Sequence, residues 1–308
     1  MKTNVSNRKI IGYAAGIVAG ASYGLNPLFA KPLIEEGMPV TVMLLFRYFF
    51  SVVLVLMIMA VRGENPRVAW KELPQLALLG VLFAFSSIFL FASYLFIPSG
   101  LATTLVYLYP VFVAMIMVFL KFYPSWQTWI SIIATFGGIC LLSSPSGDSG
   151  IKLPGIVLAV LSALSYSAYL VIVNRSKRLR NTSEDKLTLY VLIAGSILFA
   201  SLRLIECLRD GSSFIKGFDS WSDAACLAGL AVFPTLISLL ALAVSTRYIG
   251  PTRTSVLGVF EPITAILVGT IIFAEPFTSR MVGGIFICIV SVIFMILKPG
   301  SREKRMER

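Results

Sequence analysis

Residues 256–269 read VLGVFEPITAILVG. One carboxylate, Glu261, lies between Phe260 and Pro262 in a run that is otherwise lipid-soluble. The apolar residues are continuous rather than alternating. Similar runs of about 20 residues, the length of a bilayer-crossing helix, recur along the chain. Strands of a membrane barrel would alternate polar and apolar positions instead. Composition agrees with helices: 57% of residues are hydrophobic, 13% are charged, and the mean hydropathy is +0.87. A soluble domain carries about 25% charged residues. Half that charge cannot clothe a globular surface in water, so the sequence predicts an all-α integral membrane protein.

Apolar runs read against polar breaks predict ten transmembrane helices, at about 10–30, 39–61, 73–96, 99–120, 125–144, 153–174, 187–206, 222–246, 251–273 and 279–297. The links at 97–98 and 274–278 are short enough to require tight antiparallel hairpins. Of the 26 Lys and Arg residues, 19 fall on the side that holds both termini, six fall on the other, and Arg47 lies within a span. The positive-inside rule then places both termini in the cytoplasm of a multi-pass inner (plasma) membrane protein. The same rule explains the net charge of +11 without a nucleic-acid partner. The first span lacks a small-residue cleavage site and reads as a retained helix rather than a cleaved signal.

There is no histidine, and none of the four cysteines, Cys140, Cys207, Cys226 and Cys288, forms a CxxC pair. No metal site and no cofactor are expected from that inventory. Cys207 and Cys226 flank one polar loop, where a disulfide and two separate packing thiols are both open readings. No GxxxxGK[ST] phosphate loop occurs, so nucleotide hydrolysis is not the expected energy source.

The chain also repeats itself. A shift of 143 places Gly12 on Gly155, Ser22 on Ser165 and Tyr23 on Tyr166. A shift of 152 places Ile97 on Ile249, Leu105 on Leu257, Pro110 on Pro262 and Pro124 on Pro276. Each half holds five expected helices, and an odd number turns the second half over: two inverted five-helix repeats. Residues 250–297, GPTRTSVLGVFEPITAILVGTIIFAEPFTSRMVGGIFICIVSVIFMIL, carry the Glu-Pro of the ninth helix, an acidic turn at Glu275 and a Gly-rich start of the tenth. On these residues the chain resembles EamA-type transporters of the drug/metabolite transporter (DMT) superfamily, with one EamA-like repeat at 10–144, a second at 153–297, and a basic cytoplasmic tail at 298–308. The first repeat departs from the pattern, with Tyr109 where the second has Glu261 and Tyr123 where it has Glu275. The resemblance implies export or exchange of small polar metabolites, often amino acids, and not an enzyme.

Polar residues inside spans are the candidate site. Glu261 falls near mid-bilayer, where a charge costs about 2.5–3.5 kcal/mol, so it should face protein or a water-filled cavity. Pro262 frees a backbone carbonyl at the same depth. Together they suit a substrate ammonium group or a coupling proton; a structural pairing with Arg or Tyr is the alternative. Thr254, Gly258, Glu261 and Ala265 form a small-residue face that admits a close neighbour. Arg47 suits a substrate carboxylate or, equally, helix-end carbonyls. Ser22, Tyr23 and Asn26 on the first helix, and Ser162, Ser165, Tyr166 and Tyr169 on the sixth, could oppose each other as repeat mates. Ser86, Ser87, Tyr107, Tyr109 and Ser238 are further substrate-binding candidates, and Pro110 and Pro262 are expected to interrupt their helices. Trp126, Trp129 and Trp221 read as interface anchors.

The function this predicts is a secondary transporter, exporter or exchanger, of small metabolites such as amino acids, working by alternating access around a midplane cavity. Its partners are a small-molecule substrate and the lipid bilayer, with a proton as candidate coupling ion and monomer or homodimer both open. Two alternatives stand beside it: an intramembrane enzyme acting on lipid-like substrates, and a non-transporting partner subunit.

Overall fold

The structure is a computed structural model. It describes residues 2–93, 96, 105–142, 152–176, 178–179, 182–211, 213–214, 221–272 and 279–297. The links at 97–98 and 274–278, with Glu275 and Pro276, and the tail at 298–308 lie outside the described residues.

Helices are the only regular elements among the described residues. They are α1 (Lys2–Tyr23), α2 (Asn26–Glu35), α3 (Val40–Val61), α4 (Leu73–Ser93), α5 (Tyr109–Phe119), α6 (Trp126–Leu142), α7 (Leu153–Arg175), α8 (Glu184–Asp210), α9 (Trp221–Ala231), α10 (Ser238–Ile249), α11 (Pro251–Leu257), α12 (Phe260–Ile272) and α13 (Ser279–Leu297). A π-helical turn, Val232–Ile237, joins α9 to α10 in one continuous rod. Among the described residues, five helical stretches are long and apolar enough to cross a membrane: Val40–Val61, Leu73–Ser93, Leu153–Arg175, Glu184–Asp210 and Trp221–Ile249.

The first and ninth expected spans are each divided. α1 stops at Tyr23 and α2 starts at Asn26; Pro27, in its first turn, has no N–H to continue the ladder to the Tyr23 carbonyl. α11 and α12 are separated at Gly258 and Val259. By contrast α8 runs further than expected, to Asp210. Ser183 caps its start by accepting from the Lys186 N–H, Glu184 and Asp185 favour its first turn, and Gly211 closes it at φ 66.

The helices pair in a crossed pattern. α1 lies along α10, and α7 lies along α4; α3 packs on α8, and α6 on α13. The core between α3, α4, α7 and α8 is aromatic. Tyr48 meets Phe199 edge-on at 5.0 Å and Phe83 at 6.0 Å, and shares a hydrogen bond with Ser87 at 3.1 Å. Gly195 makes room for that ring, because a Cβ there would collide with it. On the α6–α13 contact, Gly138 faces the Gly284 carbonyl and Cys288, while Ser131 donates to the Ser291 carbonyl at 3.0 Å. Cys226 is a free thiol, so no disulfide joins it to Cys207.

Candidate functional site

The site is built around the break between α11 and α12. Pro262 cannot donate to the Gly258 carbonyl one turn back. That carbonyl accepts instead from the Glu261 N–H at 2.9 Å and from the Tyr107 hydroxyl at 3.0 Å. The loosened backbone that the sequence places beside Glu261 is therefore the Gly258 peptide, with a tyrosine from the other half of the chain as its partner. Gly258 itself has no space for a side chain, since a Cβ would run into the Tyr109 hydroxyl. Pro110 holds the matching place as second residue of α5, and Pro262 is third in α12. Both sit in a first turn, where a missing N–H is tolerated.

A cavity of about 10 Å³, room for roughly one water, lies against this break. Tyr23 of α1, Tyr109 of α5, Tyr166 of α7 and Glu261 of α12 converge on it, with Thr254, Ser255 and Gly258 along one wall and Ser238 on another. Tyr109 meets Tyr166 edge-on at 5.0 Å, and the row continues to Tyr107 at 5.7 Å on one side and Tyr169 at 6.2 Å on the other. The lining offers a carboxylate, hydroxyls and aromatic faces, groups that suit an ammonium-bearing amphipathic solute. Of the expected site residues, Tyr23, Tyr109, Tyr166, Ser238 and Glu261 line the cavity. Ser22, Asn26, Arg47, Ser86, Tyr107, Ser165 and Tyr169 do not.

Arg47 has other work. It is 1% exposed and its guanidinium is shared between three acceptors: Thr235 Oγ1, Asn26 Oδ1 at 3.1 Å and the Pro234 carbonyl at 3.1 Å. The Tyr23 ring lies beneath it, 5.4 Å from centroid to guanidinium carbon. Arg47 thus holds α2 against the π-helical turn, with one helix carbonyl, that of Pro234, among its acceptors. Ser162 and Ser86 are likewise used between helices, the Ser162 hydroxyl donating to the Ser86 carbonyl at 2.7 Å.

Two features escaped the sequence reading. Pro234 leaves the Leu230 carbonyl without its usual donor, and Thr235 Oγ1 takes that carbonyl at 2.8 Å, while Ser51 takes the Ala231 carbonyl at 2.9 Å. A proline followed by a hydroxyl inside an apolar run was the available signal. The second feature is the row Gly12, Gly16 and Gly20 along α1, continued by Gly24 in the break after it. A Cβ at these positions would meet Ile249 and Tyr248, then Leu257 and Ser245, then the Leu257 carbonyl and Phe260, then Glu261 and Thr264. The row lets α1 lie against the very backbone that carries Glu261. Its spacing of four is plain in the sequence.

The sequence profile of the EamA-like transporter family matches residues 10–144 and 153–297. A protein of Archaeoglobus fulgidus named an uncharacterized transporter is 25% identical over 234 residues, covering 75% of this chain and 80% of that one. The uncharacterized transporter YdfC of Bacillus subtilis is 25% identical over 309 residues, covering 97% of this chain and 92% of its own. A protein crystal structure superposes with a TM-score of 0.77 at 16% identity over 98% of this chain and 99% of that chain, a likeness of fold. With both halves matched, the chain belongs to the EamA-like transporter family, within the drug/metabolite transporter superfamily.

Proposed function

We propose that the protein is a secondary exporter or exchanger of amino acids or related amphipathic metabolites, working by alternating access between two inverted five-helix repeats. The observation that carries this reading is the cavity at the α11–α12 break, where a carboxylate, three tyrosines and an interrupted backbone meet. About 10 Å³ admits no solute, so loading requires the surrounding helices to part. The crossed pairing of α1 with α10 and of α7 with α4 supports two halves related by a two-fold axis, with the cavity between them. Both termini lie in the cytoplasm in this reading, and the membrane is the inner (plasma) membrane.

Glu261 receives the solute's ammonium group or the coupling proton. The test is counterflow or efflux of radiolabelled amino acids from proteoliposomes across a pH series, with wild type and Glu261→Gln side by side. Transport by the wild type should vary with pH, and Glu261→Gln should flatten that profile or abolish transport. A mutant with the wild-type rate and the wild-type pH profile would remove Glu261 from both roles. A metabolite-release comparison of cells with and without the protein identifies the solute.

A further inference from the structure

A second and larger space lies at the N-terminal end of α11, whose later residues line the cavity. It has a volume of about 480 Å³, and the start of α1, the turn between α5 and α6, the end of α7 and the α10–α11 junction bound it. A space of that size holds a metabolite-sized ligand. Its charged lining is cationic throughout: Arg8, Lys9, Arg175, Arg247 and Arg253, with no carboxylate among the lining residues.

The positive-inside rule accounts for cations at this end of the bundle as exposed loop charges. It does not account for their convergence on one cleft from three separate parts of the chain. Nor does it account for burial: Arg253 is only 3% exposed. The Arg175 guanidinium carbon stands 3.5 Å from the Phe122 ring centroid, and its buried Nε has no hydrogen-bond partner. The ring fixes the guanidinium in place but brings no acceptor oxygen. Arg247 is pinned in place, paired with Glu184 at 3.0 Å and donating to the Leu179 and Thr182 carbonyls.

Like charges gathered in a cleft with low-dielectric walls repel one another and focus a positive field. An oxyanion relieves that repulsion, and guanidinium forks match its oxygens. The geometry points to this vestibule as a binding site for a multiply charged oxyanion: a phosphate-bearing group, carried either by a soluble metabolite or by an anionic lipid headgroup. The site is separate from the cavity. Gly250 to Arg253 line the vestibule, whereas Thr254, Ser255, Gly258 and Glu261 line the cavity. Binding there does not depend on which solute the cavity carries.

The test uses the full chain in phosphatidylcholine nanodiscs, titrated with inorganic pyrophosphate while its melting temperature is followed. Sodium chloride at matched ionic strength is the control. Pyrophosphate should raise the melting temperature saturably and chloride should not. Arg175→Gln should weaken the apparent affinity about tenfold, the scale of one charge-assisted contact. Arg8→Gln should weaken it too, and because Arg8 is exposed its loss leaves the packing intact. Arg67→Gln, exposed at the same end but outside the vestibule, should leave it unchanged. Nanodiscs containing phosphatidylglycerol separate the two sources. A pyrophosphate response that persists there assigns a soluble oxyanion, and one that disappears there assigns the lipid headgroup. No saturable response in phosphatidylcholine, an equal response to chloride, or a response untouched by both Arg175→Gln and Arg8→Gln overturns the proposal.

Discussion

Arg47 binds together three pieces of chain that lie far apart in sequence, and it does so with all of its guanidinium nitrogens engaged. Arg47→Lys keeps the charge but loses the planar fork, and it strands the Pro234 carbonyl or the Asn26 amide oxygen. Leaving one such buried acceptor unmet costs about 1–3 kcal/mol. The thermal midpoint of purified Arg47→Lys in detergent should therefore fall clearly below that of wild type, and an unchanged midpoint would contradict the role assigned to the fork. Tyr107 offers a gentler case. Tyr107→Phe removes one of two donors to the Gly258 carbonyl and should cost about 0.5–1.5 kcal/mol by the same measurement. Glu261 and its cavity tyrosines were legible in the sequence because an acid in a hydrocarbon run has few explanations. Arg47 stayed ambiguous because its partner Thr235 is 188 residues away and no local pattern links them.

Within a helix, neighbouring residues can have opposite tolerances, and α6 provides the cleanest pair. A Cβ at Gly137 meets nothing within 4 Å, whereas one at Gly138 would approach the Gly284 carbonyl to 2.9 Å and the Cys288 sulfur to 2.6 Å. Gly137→Ala should be neutral or stabilise the helix by up to about 1 kcal/mol. Gly138→Ala should destabilise by about 1–3 kcal/mol, because the α6–α13 contact must open. Equal melting temperatures for the two variants would refute this packing. The glycine row that runs along α1 to Gly24 follows the same logic on a longer scale, four positions against α10, the α11–α12 break and α12. Spacing alone announces a close contact but not the partner. Helix existence was legible for the long runs such as Leu73–Ser93, since continuous apolarity needs no tertiary information. The division at Gly258 was signalled by Pro262 four residues on, whereas the one at Gly24 was not read, because a glycine in an apolar run is compatible with an unbroken helix until packing decides.

At the scale of the molecule, the duplication could be read from matched prolines and helix ends, and its consequence is the crossed pairing of the halves. What the sequence could not give is the meeting of the halves, which rests on positions where the repeat mates differ, such as Glu261 and its counterpart Tyr109, both of which line the cavity. Orientation is testable as a whole-chain property. A reporter active only in the cytoplasm, fused after Arg308, should be active, and the same reporter inserted at Gly211 should be silent; the reverse result would invert the proposed topology. One consequence concerns voltage. α11 has seven residues and spans about 10 Å of helix, and it separates the vestibule from the cavity. In the proposed topology the vestibule opens to the cytoplasm, so water filling it would reach Gly250, and the share of the membrane voltage that a charge crosses along this short helix is set by how deep Gly250 lies.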